Sequence, residues 1–286
     1  MIGFNLGSLN TTISYGETIS ATRMNCNLVI SDISGRTTPS VISYTNSHRL
    51  IGDQANLVVK KFLLSSFNNI SRLAGMQGSS EFCKKEIAQF SLLGPPFNSQ
   101  KNSFIFKLDG EEYQMSADQI VLAFINLLKQ ELILNKKLQV ESYVFSVPDY
   151  FTCNQKSSFI SVLKAAGLVK NCHIIQESTA ITLYFGYKKY KDYFIVNNSK
   201  DNNPNSLGVN PTIVKYIIFI DAGYSKTTFV FSKLNYNQFS VLKTYCLPFL
   251  GGRNMDQKIF NFCANKLMKE QGVDITKNKK SILRLL

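Results

Sequence analysis

Tyr216-Ile217-Ile218-Phe219-Ile220-Asp221-Ala222-Gly223-Tyr224-Ser225 is an apolar run that breaks into a small-residue turn, and Thr227-Thr228-Phe229-Val230-Phe231 follows it. This order reads as strand, glycine-bearing turn, strand. The same order occurs at the start of the chain. There Ile2-Gly3-Phe4-Asn5-Leu6-Gly7-Ser8 leads into Asn10-Thr11-Thr12-Ile13-Ser14-Tyr15, with Gly7 as the hinge of the turn. Two copies of one hairpin in one chain suggest two related lobes. Backbone N–H groups in such turns form anion-binding nests, so opposed hairpins can grip a phosphate chain from both sides.

Between the copies, strand and helix signals alternate, which is the pattern of an α/β architecture. Ser116-Ala117-Asp118-Gln119 has capping-box spacing and precedes Ile120, Val121, Phe124, Leu127 and Leu128, which share one helical face. Tyr143-Val144-Phe145-Ser146-Val147 reads as a buried strand stopped by Pro148. Thr152 and Gln155 open a further capped helix that ends near Gly167. Cys172-His173-Ile174-Ile175 is the next strand, and Gln176-Glu177-Ser178-Thr179-Ala180 places a carboxylate where that strand passes into a helix. In α/β folds this is a usual address for chemistry. Asn197 to Pro211 has almost no apolar content and reads as a surface linker. The Gly251-Gly252 turn and an amphipathic helix carrying Ile259, Phe260, Cys263 and Leu267 follow. Ser281 to Leu286 reads as a helix without a stop signal, its apolar residues lacking an obvious partner.

Composition narrows the function classes. With 286 residues and 44% hydrophobic side chains the chain can bury a real core, and its formal charge of +13 suits an anionic partner. The six cysteines are scattered without a C-x-x-C pair, and His48 and His173 are the only histidines, so a structural zinc is not expected. The cysteines read as small core residues, and His173 as a satisfied core group. No basic leader followed by an apolar stretch opens the chain, and no apolar run is long enough to span a bilayer. A cytoplasmic, membrane-free setting is the expectation. Tyr187-Lys188-Lys189-Tyr190-Lys191 mixes aromatic and basic residues, but reads as the exposed end of a helix rather than a nucleic-acid platform. Lys226 reads as an ordinary solvated hairpin lysine, with approach to a phosphate as the alternative.

Taken in order, these motifs resemble the nucleotide-binding domain of the heat shock protein 70 superfamily over nearly the whole chain. Its first phosphate hairpin is similar to Gly3-Phe4-Asn5-Leu6-Gly7-Ser8, and its early strand to Arg36-Thr37-Thr38-Pro39-Ser40-Val41-Ile42. Further markers are Ser71-Arg72-Leu73-Ala74-Gly75, Ser146-Val147-Pro148-Asp149-Tyr150-Phe151, and Ala165-Ala166-Gly167-Leu168 through Glu177-Ser178-Thr179-Ala180 to Tyr184-Phe185-Gly186. The second hairpin and the following turn resemble Phe219-Ile220-Asp221-Ala222-Gly223 and Leu250-Gly251-Gly252-Arg253. Arg253, Gly223-Tyr224-Ser225 in place of a glycine triplet, and Val273-Asp274-Ile275 are more similar to the heat shock protein 110 branch.

The resemblance implies an α/β, actin-like ATPase fold with ribonuclease H-like lobes. Lobe I is then complete over 1–196, with a core of 1–39 and 116–196 and an inserted subdomain at 40–115. An Asn-rich linker at 197–212 and a partial, truncated lobe II at 213–286 follow. It further implies ATP or ADP bound at Gly7, Ser8, Leu9, Glu177, Asp221, Gly223, Tyr224, Ser225, Gly251 and Gly252, with Glu177 and Asp221 the remnant of a catalytic set. Asn5, Ser71 and Thr228 stand where the family places an aspartate, a lysine and an aspartate. Magnesium binding is therefore expected to be weakened, with no dedicated metal ligand. Each lost group is worth on the order of 10²–10⁴ in rate, which argues against efficient hydrolysis. The implied role is that of a stress-response cochaperone: nucleotide exchange for a heat shock protein 70 partner, or holding unfolded polypeptides. The alternatives are an active ATPase of the heat shock protein 70 type and a truncated form that binds no nucleotide.

Overall fold

The computed structural model describes residues 1–20, 23–30, 35–76, 80–130, 140–168, 171–197, 214–235 and 238–285. The strands are β1 (Ile2–Leu6), β2 (Asn10–Ser20), β3 (Arg23–Leu28), β4 (Thr38–Pro39), β5 (Ile42–Tyr44), β6 (Arg49–Ile51), β7 (Ser66–Phe67), β8 (Phe97–Asn98), β9 (Ser103–Leu108), β10 (Glu111–Ser116), β11 (Tyr143–Val147), β12 (Cys172–Gln176), β13 (Lys215–Ala222), β14 (Thr227–Leu234) and β15 (Phe239–Leu247). The helices are α1 (Gly52–Val58), α2 (Ile70–Leu73), α3 (Glu81–Leu93), α4 (Ala117–Leu128), α5 (Cys153–Ala165), α6 (Glu177–Asn197), α7 (Gly252–Gln271) and α8 (Lys279–Leu285).

The main sheet runs β12-β11-β1-β2-β3, with β4 paired to β2. In β1 the period-2 alternation puts Ile2, Phe4 and Leu6 into the core. Phe4 stacks on Phe145 of the neighbouring parallel strand, ring centroids 4.5 Å apart. Parallel strands need crossover helices, and α5 supplies one between β11 and β12. Phe159, Val162 and Leu163 of α5 join Ile120, Val121, Phe124, Ile125 and Leu128 of α4 in one buried cluster with β1 and β11. Each such large side chain contributes about 1.5–3 kcal/mol by leaving water.

Both capping boxes form. Ser116 Oγ accepts from the Gln119 N–H at 3.2 Å, and the Ser116 N–H donates to Gln119 Oε1 at 2.8 Å. Thr152 and Gln155 make the same exchange at the start of α5. Replacing Ser116 by alanine is expected to cost about 1 kcal/mol, read as a lower urea midpoint at unchanged m-value.

Two small sheets, β6-β5-β7 and β10-β9-β8, lie between β4 and α4 in sequence. The repeat of the opening hairpin appears as the antiparallel pair β13–β14, extended by β15. Helix α6 packs on this sheet: Thr182 Oγ1 lies 2.8 Å from Ser232 Oγ, and Gly186 comes so close that a Cβ there would lie 2.6 Å from the Phe239 ring. β13 is an edge strand whose Tyr216, Ile218 and Ile220 are 60–64% exposed.

Several expectations change. Helix α6 does not end at Tyr187–Lys191 but runs to Asn197, because nothing in that stretch breaks a helix; Lys188 and Lys189 are exposed along its side. His173 lies on the edge strand β12 and is exposed rather than core. Of the six free cysteines only Cys83 is buried, and Cys26 and Cys153 are exposed. Ile259 is 62% exposed, so the inner stripe of α7 is Phe260 and Ala264. Ile282 of α8 does find a partner, packing into that stripe at 3% exposure. The expected linker lies outside the described residues from 198 on. No helix among the described residues is long and apolar enough to cross a membrane.

Candidate functional site

The β1–β2 turn and the β13–β14 turn face each other across a cavity of about 280 Å³. Its walls include Gly7, Ser8 and Leu9 from the first turn, Asp221, Gly223, Tyr224 and Ser225 from the second, and Glu177 from the start of α6. Ser8 Oγ and Ser225 Oγ lie 2.5 Å apart and join the two turns.

Each wall has a local cause. Gly7 is required by closeness, since a Cβ there would lie 2.3 Å from the Asn10 carbonyl oxygen. The Gly7 carbonyl accepts from Ser40 Oγ at 2.7 Å, which fixes the turn from behind. Glu177 is the first residue of α6, whose entry is held by Asp149: its carboxylate accepts from the Ser178 N–H at 3.2 Å and from the Ser178 hydroxyl. Gly251 and Gly252 do not line the cavity. They brace the second turn, the Gly252 N–H donating to the Gly223 carbonyl at 3.1 Å and the Arg253 N–H to the Tyr224 carbonyl at 2.8 Å. A Cβ on Gly251 would lie 2.5 Å from the Tyr224 carbonyl oxygen.

Lys226 overturns its reading as a solvated lysine, for it is 8% exposed. Its Nζ lies 2.5 Å from Glu177 Oε2 and 3.3 Å from Asp221 Oδ2, and donates to Thr228 Oγ1 at 3.4 Å. This was invisible in sequence, because Lys226 lies in the β13–β14 turn and its partner Glu177 comes from the start of α6. Burial alone pulls the ammonium down, but the charge and hydrogen bond of Glu177, then Asp221, hold it well above the usual lysine range. Burial pushes the Glu177 carboxyl up, and Lys226 opposes that push. The two groups meet at salt-bridge distance.

A second cluster escaped the sequence altogether. Glu86 on α3 takes Arg72 Nε and Nη2 on one oxygen at 3.0 and 2.6 Å, and Arg253 Nη1 of α7 on the other at 2.6 Å. The Arg72 guanidinium lies over the rings of Phe82, Tyr150 and Phe249 at 4.8–5.1 Å. Arg253 thereby ties the helix behind the second turn to the segment that carries Ser71 into the cavity wall.

The cavity suits the phosphate end of a nucleotide: two tight turns oppose each other around a buried ammonium, and the volume falls short of the roughly 300–1,000 Å³ of a pocket that takes a whole drug-sized ligand. Magnesium fits less well. It demands a near-octahedral shell of oxygens. Both carboxylates that could approach it are engaged by Lys226, and Asn5 Oδ1 accepts from Ser146 Oγ at 3.2 Å. Among the described residues no group of three or more His, Cys, Asp and Glu could hold a metal ion.

A mixed α/β chain in which paired strand-turn-strand hairpins face each other over a cleft is the class of nucleotide-binding proteins built on the actin-like fold. The sequence matches the family model described as "Hsp70 protein" over residues 1–286, and the chain belongs to the Hsp70 family. Its fold is accordingly the actin-like ATPase fold, and the family binds ATP and ADP, generally with magnesium. It is 26% identical to heat shock protein hsp88 of Neurospora crassa, covering 100% of this chain and 37% of that protein. It is 26% identical to heat shock 70 kDa protein 16 of Arabidopsis thaliana (100% and 34%), and 23% identical to heat shock protein 88 of Dictyostelium discoideum (100% and 34%). Relatives of the heat shock protein 110 branch are thus among those it resembles. The chain spans between 34% and 37% of the length of these relatives.

Proposed function

We propose that the chain is the nucleotide-binding part of a heat shock protein 110-type chaperone, which holds ATP or ADP between its two hairpins and hydrolyses ATP slowly or not at all. The observation that carries this reading is the Lys226 ammonium paired to both Glu177 and Asp221: the carboxylates that would serve hydrolysis are committed to an ion pair inside the cleft. Asn5, Ser71 and Thr228 around them are neutral, and among the described residues that line the cavity Glu177, Asp221 and Lys226 are the charged ones. On this reading 1–196 and 213–286 act as two lobes, and the cleft between them is the nucleotide site. The functional role is that of a cytoplasmic cochaperone of a heat shock protein 70 partner, acting through nucleotide exchange or by holding unfolded polypeptides. The basic charge of +13 is compatible with an anionic ligand and does not select one.

Calorimetric titration with ATP and ADP, followed by melting and by phosphate release, tests the nucleotide reading. Heat of binding and a raised Tm without phosphate release is the expected result, because a ligand stabilises the folded state it binds. Steady phosphate release would replace the reading with an active ATPase. No heat and no shift would remove the nucleotide from the account.

A further inference from the structure

We propose that Lys226 is a built-in substitute for a divalent cation, so that the polyphosphate taken by this cleft is bound free of metal. The inference rests on the reading of the cleft as a nucleotide site and specifies the form of the ligand. Three observations carry it. Glu177 and Asp221, on different elements, converge on one point, and that point is occupied by Lys226 Nζ at 2.5 and 3.3 Å. The ammonium is held there rather than passing through: the residue is 8% exposed and its third contact is Thr228 Oγ1 at 3.4 Å. Finally, Lys226 and both carboxylates that hold its ammonium line the same cavity as Gly7, Ser8, Gly223 and Ser225.

A cation between two carboxylates and a phosphate chain offsets the repulsion between anions held at short range, where water screens them little. A divalent ion does this by coordination, which requires the carboxylate oxygens. Here one oxygen of each carboxylate, at the point where the two converge, already has a cation that is covalently part of the chain. A metal would have to displace a buried ammonium and leave it unpaired, which is strongly unfavourable out of water. The cleft therefore discriminates against the metal chelate and in favour of the free nucleotide.

The test uses the whole chain and Lys226→Thr, each titrated with ADP in magnesium and in EDTA, with Mn²⁺ binding followed separately by electron paramagnetic resonance without nucleotide. Expected for the natural sequence is ADP affinity equal in magnesium and EDTA, with no bound Mn²⁺. Lys226→Thr is expected to bind Mn²⁺ between Glu177 and Asp221, and its ADP affinity is expected to rise about tenfold with magnesium. Tightening of that size by magnesium in the natural sequence would overturn the proposal, as would Mn²⁺ bound there with Lys226 in place. Absence of ADP binding under all conditions would overturn the nucleotide reading. The Mn²⁺ arm then still decides the role of Lys226, a site gained on Lys226→Thr supporting it and no site gained overturning it. Should Lys226→Thr not fold, the magnesium and EDTA titrations of the natural sequence decide alone.

Discussion

Replacing Glu86 by glutamine is expected to lower the unfolding free energy by about 3–5 kcal/mol, the cost of leaving a buried charge without its counter-ion. Glu86 is fully buried and Arg72 is 1% exposed, so water does not screen what remains. The carboxylate serves two arginines, and glutamine, which keeps one acceptor oxygen but no charge, leaves the Arg72 guanidinium without its counter-ion among the rings of Phe82, Tyr150 and Phe249. Cation–π contacts of about 2 kcal/mol when desolvated do not offset that. Because Arg253 belongs to α7, the variant should also loosen the helix behind the second hairpin, visible as faster amide exchange at Gly252 and Arg253.

The same residue sets an acid limit. Burial alone would raise the Glu86 carboxyl, but the Arg253 hydrogen bond and the Arg72 charge outweigh it and hold the group below the ordinary carboxylate range. A carboxyl depressed in the folded state contributes stability that is fully present above its unfolded value, about 4.3, and is lost as pH falls through the folded value. Stability of the natural sequence is therefore expected to decline below about pH 4.3 with a contribution that Glu86→Gln lacks. Urea midpoints of both proteins across pH 3–6 check the difference; parallel curves would show that Glu86 does not titrate as an ion-paired group.

Gly75→Val is expected to cost about 2–5 kcal/mol, from two separate causes. Gly75 has φ +64°, where a β-branched residue is strained, and a Cβ there would lie 2.6 Å from Gln155 Cα. That atom belongs to the first turn of α5 and has no side-chain freedom to move aside. The Gly75 N–H also donates to Asp118 Oδ1 at 2.9 Å, and the Ser158 hydroxyl donates to the same carboxylate, so the junction of α2, α4 and α5 shifts together. Thermal melts should show a single cooperative transition at reduced Tm. An unchanged Tm would mean that α2 and α5 can separate without loss.

Local chemistry made most of the architecture legible in the amino-acid order. Capping residues Ser116 and Thr152, the period-2 alternation of Ile2, Phe4 and Leu6, and the glycine turns after Leu6 and Ala222 act over a few residues, and each forms as the pattern demands. The repeated hairpin was readable for the same reason, and it located one side of the cleft on each copy. Burial of charged groups was not readable, because it depends on what arrives from elsewhere in the chain. Lys226 is a hairpin lysine until Glu177 is brought over it from 49 positions earlier in the chain. Gly251 and Gly252 read as phosphate-turn glycines, yet in space they support the turn from behind. The Arg72–Glu86–Arg253 cluster joins three helices, and no spacing along the chain announces it. Sequence determined the strands, the caps, the two turns and the family of this chain. Tertiary structure alone decided which charges lie out of water, since desolvation acts through space and not along the chain.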